Sequence, residues 1–158
     1  MAKTTLAWRK ERGVQSYNVQ VFNNQGNVVF NTNTGRNTSV VVRLGYGRYT
    51  WQVQGVAAGG LTPFSQAMQF DVTTLFAPLN GASLRARKLV FQWQMIKRAS
   101  YHLTVWKDRG QPTEAKVIDT DWAKTSYRPA TLFAPGSYSW TVTVNGQAMP
   151  EWQFTVSP

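Results

Sequence analysis

The sequence predicts an all-β fold of two consecutive β-sandwiches of one kind, residues 1–73 and 74–158, and three observations carry it. Seven Trp, six Tyr and eight Phe accompany frequent Val and Thr, the side chains that pack best on a pleated, half-buried surface. Apolar and polar residues alternate over short runs, the period of a strand with one buried face, and no stretch of useful length has helical periodicity. The alternating segments of the first half return in the second, Trp8 matching Trp93 and Tyr49 matching Tyr138, at offsets of 84 to 89 residues. A recurrence of that length is one domain repeated.

In the first repeat, strands are expected at 4–9, 16–23, 28–31, 39–43, 47–56 and 67–73. Leu6 and Trp8 share a face of the first, and Tyr17, Val19 and Val21 share a face of the second while Asn18 and Gln20 point away. Asn23-Asn24-Gln25-Gly26 and Asn33-Thr34-Gly35 are turn chemistry between strands. The second repeat predicts strands at 89–94, 100–107, 115–119, 126–129, 136–144 and 151–156, with Ala134-Pro135-Gly136 before one and a hairpin at Asn145-Gly146. A further strand is expected within 75–84, where Pro78 suits only an edge or a bend. Trp8, Trp51, Trp93 and Trp140, with Tyr17, Tyr49, Tyr101 and Tyr138, fall on inward parity and are the expected core, joined by Phe70, Trp152 and Phe154.

Two motifs carry a resemblance. The first repeat contains Leu44-Gly45-Tyr46-Gly47-Arg48-Tyr49-Thr50-Trp51-Gln52-Val53, and the second repeats it, shifted by one, as Phe133 to Val142. The closing Ser65-Gln66-Ala67-Met68-Gln69-Phe70-Asp71-Val72 survives in the second only as Phe154 and Val156. Both halves thereby resemble fibronectin type III domains, immunoglobulin-like β-sandwiches, and the bacterial variety in particular. Such domains begin with a strand ahead of the Trp-bearing one. The second repeat has room for it at 75–84, whereas the resemblance implies a first repeat without its leading strand. A longer parent protein, a domain that tolerates the missing edge, and completion by a strand from another chain are the alternatives, since exposed sheet edges recruit strands.

Seventeen Lys and Arg against seven Asp and Glu give a net charge of +10. The excess is shared, with seven basic and two acidic residues in 1–73 and ten and five in 74–158. Such a field favours acidic polymers without choosing among them. There is no cysteine, hence no disulfide or thiolate metal site. No apolar stretch resembles a signal peptide or a membrane span. His102 is the single histidine, no serine sits in a nucleophile elbow, and the acidic residues 108–121 do not follow a calcium-loop pattern. No catalytic constellation and no cofactor site is therefore expected.

The candidate contact residues lie in the second repeat. Trp106 occupies the polar parity of its strand, as Phe22 does in the first; His102 shares its face, and Lys107 and Arg109 follow. Trp122 stands in a polar segment. Aromatic rings beside cations stack on sugars or bases while the charge takes an anion. Arg85, Arg87 and Lys88 form the densest basic run, and Lys97 and Arg98 lie in the next loop, where converging loops would make a salt-sensitive patch. Two functions follow as expectations. One is a non-enzymatic spacer or protein-interaction unit, with a protein partner or self-association at the open edge of the first domain. The other is a carbohydrate- or polyanion-binding module that takes an acidic polysaccharide or other polyanion through the residues just named. No helix or aromatic platform points to specific nucleic-acid recognition. A periplasmic, surface or extracellular setting is what the resemblance implies.

Overall fold

A computed structural model describes residues 1–158, which form two compact units, Met1–Val72 and Thr73–Pro158. In the first, β1 (Ala2–Ala7) and β4 (Ser39–Leu44) make a two-stranded antiparallel sheet with Leu6 opposite Val40. The larger sheet has the order β3 (Val28–Asn33), β2 (Val14–Asn23), β5 (Gly47–Ala57), β6 (Gly60–Phe64), and β7 (Met68–Val72) pairs β5 on the same side as β6. Leu6, Val42 and Leu44 from the small sheet meet Val19, Val21, Trp51 and Val72 from the large one, so the core lies between them. Period-two alternation is what delivers one such row from each strand.

The second unit is a fuller version of the same plan. β8 (Leu75–Ala77), β10 (Phe91–Trp93) and β13 (Ser126–Tyr127) form one sheet. β12 (Ala115–Asp121), β11 (Tyr101–Lys107), β14 (Gly136–Val144), β16 (Trp152–Ser157) and β9 (Ala82–Arg85) form the other, with β15 (Gln147–Ala148) added to β14. Both units are thus all-β sandwiches of antiparallel strands in the fibronectin type III or immunoglobulin-like manner, except that β9 runs parallel to β16, with Ala82 opposite Phe154.

The single strand expected within 75–84 is in fact two. Chain leaves β8 at Pro78, which cannot donate to a ladder, and re-enters pairing at β9 in the opposite sheet. This crossing is latched: Trp140 Nε1 donates to the Pro78 carbonyl at 3.2 Å, Gly81 N to the Gln153 carbonyl at 2.7 Å, and Gln153 N to Asn80 Oδ1 at 2.8 Å. β6 has no counterpart among the expected strands, and it contains Pro63. It forms at an edge with an irregular register, where a missing N–H is tolerated.

Candidate interaction surfaces

Matched positions of the two repeats are unequally covered. Trp93 is 2% exposed and Phe154 1%, while their counterparts Trp8 and Phe70 are only partly buried. Tyr138 is buried and Tyr49 is not fully so. Met68 is 50% exposed where Trp152 is 9%. All four pairs differ in one direction. In the second unit the crossing from β8 to β9 supplies strands to both sheets at this seam, β8 on β10 and β9 on β16. In the first unit the corresponding strands β1 and β7 each pair on one side alone, with β4 and β5 respectively.

The geometry of the β1 edge follows from one bond. Trp8 N donates to the Thr38 carbonyl at 3.0 Å, towards β4. Alternation then turns the N–H groups of Thr4 and Leu6 to β4 and those of Lys3, Thr5 and Ala7 outward. The outward set is a ladder of donors and acceptors without a protein partner, beside an incompletely covered aromatic row. Arg48 and Asp71, joined by two hydrogen bonds of 2.8 and 3.0 Å, fix β7 to β5 from the other side.

Of the contact residues expected in the second unit, His102, Trp106, Arg109 and Trp122 are engaged internally. Trp106 is buried rather than solvent-facing, and the Arg109 guanidinium lies 4.2 Å from its ring centroid. Arg109 in turn reaches Glu114 at 2.6 Å and Glu151 at 3.3 Å, carboxylates that raise its already high pKa. His102 meets Asp121 at 2.7 Å through Nδ1 and Asp119 at 2.9 Å through Nε2. These hydrogen bonds raise the imidazole pKa above 6.5. The Asp119 carboxyl falls to about 2, chiefly through the His102 bond and then the Lys116 bond at 2.9 Å. Trp122 packs edge-on to Tyr127 and donates its Nε1 to the Ser126 carbonyl at 2.8 Å. Lys107 is half-buried, its side chain passing Gly136.

The basic residues do not gather into one patch. Arg85 ends β9, Arg87 and Lys88 sit in the single 3₁₀ turn Ala86–Lys88, and all three precede β10; Lys97 and Arg98 follow it. The two exposed groups therefore lie at opposite ends of that strand instead of on converging loops. No group of three His, Cys, Asp or Glu residues is placed to hold a metal ion, and no helix is long and apolar enough to cross a membrane.

Among solved structures the chain is similar to the FN1–FN3 domains of chicken CNTN1, at 14% identity and a TM-score of 0.37, over 99% of this chain and 63% of that one. It is also similar to a two-domain fibronectin type III segment of chicken tenascin, at 13% identity and a TM-score of 0.40, over 99% and 92%. Fibronectin(III)-like modules of Clostridium thermocellum CbhA match at 12% identity and a TM-score of 0.32, over 98% and 84%. No protein-family model and no curated protein matches the sequence.

Proposed function

We propose that the chain is a non-enzymatic protein-interaction and assembly unit whose first sandwich accepts an extended strand from a partner chain along the seam between β1 and β7. The observation that carries this is the internal comparison: Trp8, Tyr49, Met68 and Phe70 are all more exposed than Trp93, Tyr138, Trp152 and Phe154, and the second unit covers that place with 75–85 of its own chain. The occupant has the chemistry of that segment: an apolar run, Leu75-Phe76-Ala77-Pro78-Leu79, then a turn at Asn80-Gly81 and the alternating Ala82-Ser83-Leu84-Arg85. Main-chain hydrogen bonds give the affinity and alternate side chains entering the seam give the specificity. The setting, by resemblance, is a cell-envelope or extracellular complex. A spacer role rests on the sequence, which has no Gly/Ser-rich linker between the repeats.

The test is titration of a labelled peptide of residues 75–85 into the full chain, followed by fluorescence anisotropy. Saturable binding is expected, retained between about 50 and 200 mM salt, a range over which a polyanion contact weakens steeply. Thr5→Pro removes one outward N–H and leaves the bonds to β4 in place, so it should weaken the peptide at least about tenfold, or 1.4 kcal/mol. Absence of peptide binding, or binding indifferent to Thr5→Pro, would sink the proposal. Concentration-dependent dimerisation in sedimentation would identify the donor as a second copy.

A further inference from the structure

The outward face of the large sheet in the first unit is built from uncharged amides. Strand register aligns them in two rows: Asn33 opposite Asn18 opposite Gln54, and Asn31 opposite Gln20 opposite Gln52. The first row ends on Phe64, which faces Gln54 from β6 and is 38% exposed. Four strands at about 4.8 Å spacing make the platform about 14 Å across, and rows two residues apart stand about 7 Å from one another. A depression of about 340 Å³ lies over the first row. Neither row contains a charge, in a chain with seventeen basic residues.

The amides hold one another in place. Asn33 Nδ2 donates to Asn18 Oδ1 at 2.8 Å and to Ser16 Oγ at 3.1 Å, Asn18 Nδ2 donates to Gln54 Oε1 at 3.4 Å, and Gln52 Nε2 to Gln20 Oε1 at 3.0 Å. Each primary amide has two N–H donors and a two-lone-pair acceptor, so these bonds do not exhaust the set. The Nε2 groups of Gln20 and Gln54, Oε1 of Gln52 and the whole amide of the exposed Asn31 take no part in these bonds and retain capacity. Fixed side chains with spare donors and acceptors lose little rotamer freedom when a ligand arrives.

We propose that this face binds a neutral oligosaccharide. Sugar hydroxyls are simultaneously donors and acceptors and match primary amides, an apolar sugar face matches the Phe64 ring, and a polyanion would find no cation in either row. The site is separate from the β1–β7 seam and stands or falls independently of it.

The experiment is an NMR titration of the full chain, labelled with ¹⁵N, against neutral hexasaccharides of β-1,4-glucose, β-1,3-glucose, α-1,4-glucose, β-1,4-mannose and N-acetylglucosamine. At least one should shift the side-chain NH₂ signals of Gln20, Gln54 and Asn31 in a saturable manner, with an affinity changing less than about twofold between 50 and 200 mM salt. Phe64→Ala, at an exposed edge, should weaken it about tenfold, and Gln20→Ala likewise, each with an otherwise native amide spectrum. No shift with any of the five sugars at millimolar concentration overturns the proposal. So do shifts confined to other faces, or shifts insensitive to both variants.

Discussion

His102 is held at both ring nitrogens by carboxylates of β12, Asp121 at 2.7 Å and Asp119 at 2.9 Å. Donation from both nitrogens requires the imidazolium, so folding favours the protonated ring. Its folded pKa lies above the unfolded value, so the stability from this contact is complete below pH of about 6.5 and is lost as pH rises through the raised pKa. For Asp119 the sign is opposite: its contribution is present above the ordinary 3.8 and lost as pH falls towards about 2. His102 and Asp119 are therefore both charged between those limits. NMR titration of the His102 ring should give a midpoint above 6.5 that moves down towards that value in Asp119→Asn; an unchanged midpoint would refute the assignment. These partnerships are what strand parity does not report. Trp106 lies on the polar parity of its strand, but the β11–β12 register shifts between Val105 and Trp106, and Arg109, three residues on, folds back over the ring. Period two places a side chain on a face; it does not say what later covers that face.

Hairpins are where local chemistry and structure agree most closely. Asn145 and Gly146 take left-handed backbone angles, φ 48° and 82°, which bring β14 into β15 with the twist such a turn requires. Asn145 also accepts a hydrogen bond from Ser100 N at 2.9 Å through Oδ1, tying the turn to the start of β11. Asn145→Ala should cost about 1–2 kcal/mol from the left-handed conformation alone, read as a lower denaturant midpoint with an unaltered slope. Asn145→Gly should cost less, since it loses the Ser100 bond but not the backbone freedom. The alternating strands were legible for a related reason: Val19 and Val21, or Leu103 and Val105, are inward on any sheet that buries one face. β6 and the division of 75–84 into β8 and β9 were not legible. Each depends on which neighbour a proline-containing segment meets, and that is decided by tertiary position rather than by local pattern.

The two units carry unequal cores. Eight apolar residues of Met1–Val72 are buried against sixteen of Thr73–Pro158, and Trp8, Tyr49 and Phe70 of the open seam account for part of the deficit. The repeat is legible in the sequence, yet only the matched exposures reveal that Met68 and Phe70 share the seam with Trp8. Since burial of apolar area is the main stabilising term, the first unit should unfold at lower denaturant. Hydrogen exchange should detect this as faster exchange in β2 than in the equivalent β11, both central strands of their sheets. A strand bound only to the folded first unit raises that unit's stability by mass action, by about 2.7 kcal/mol at a hundredfold excess over Kd. The peptide of residues 75–85 should accordingly slow exchange in β2 and leave β11 unchanged, and Thr5→Pro should abolish the effect. Equal protection of both strands without peptide, or slowing of both with it, would show that the open seam is not what separates the two sandwiches.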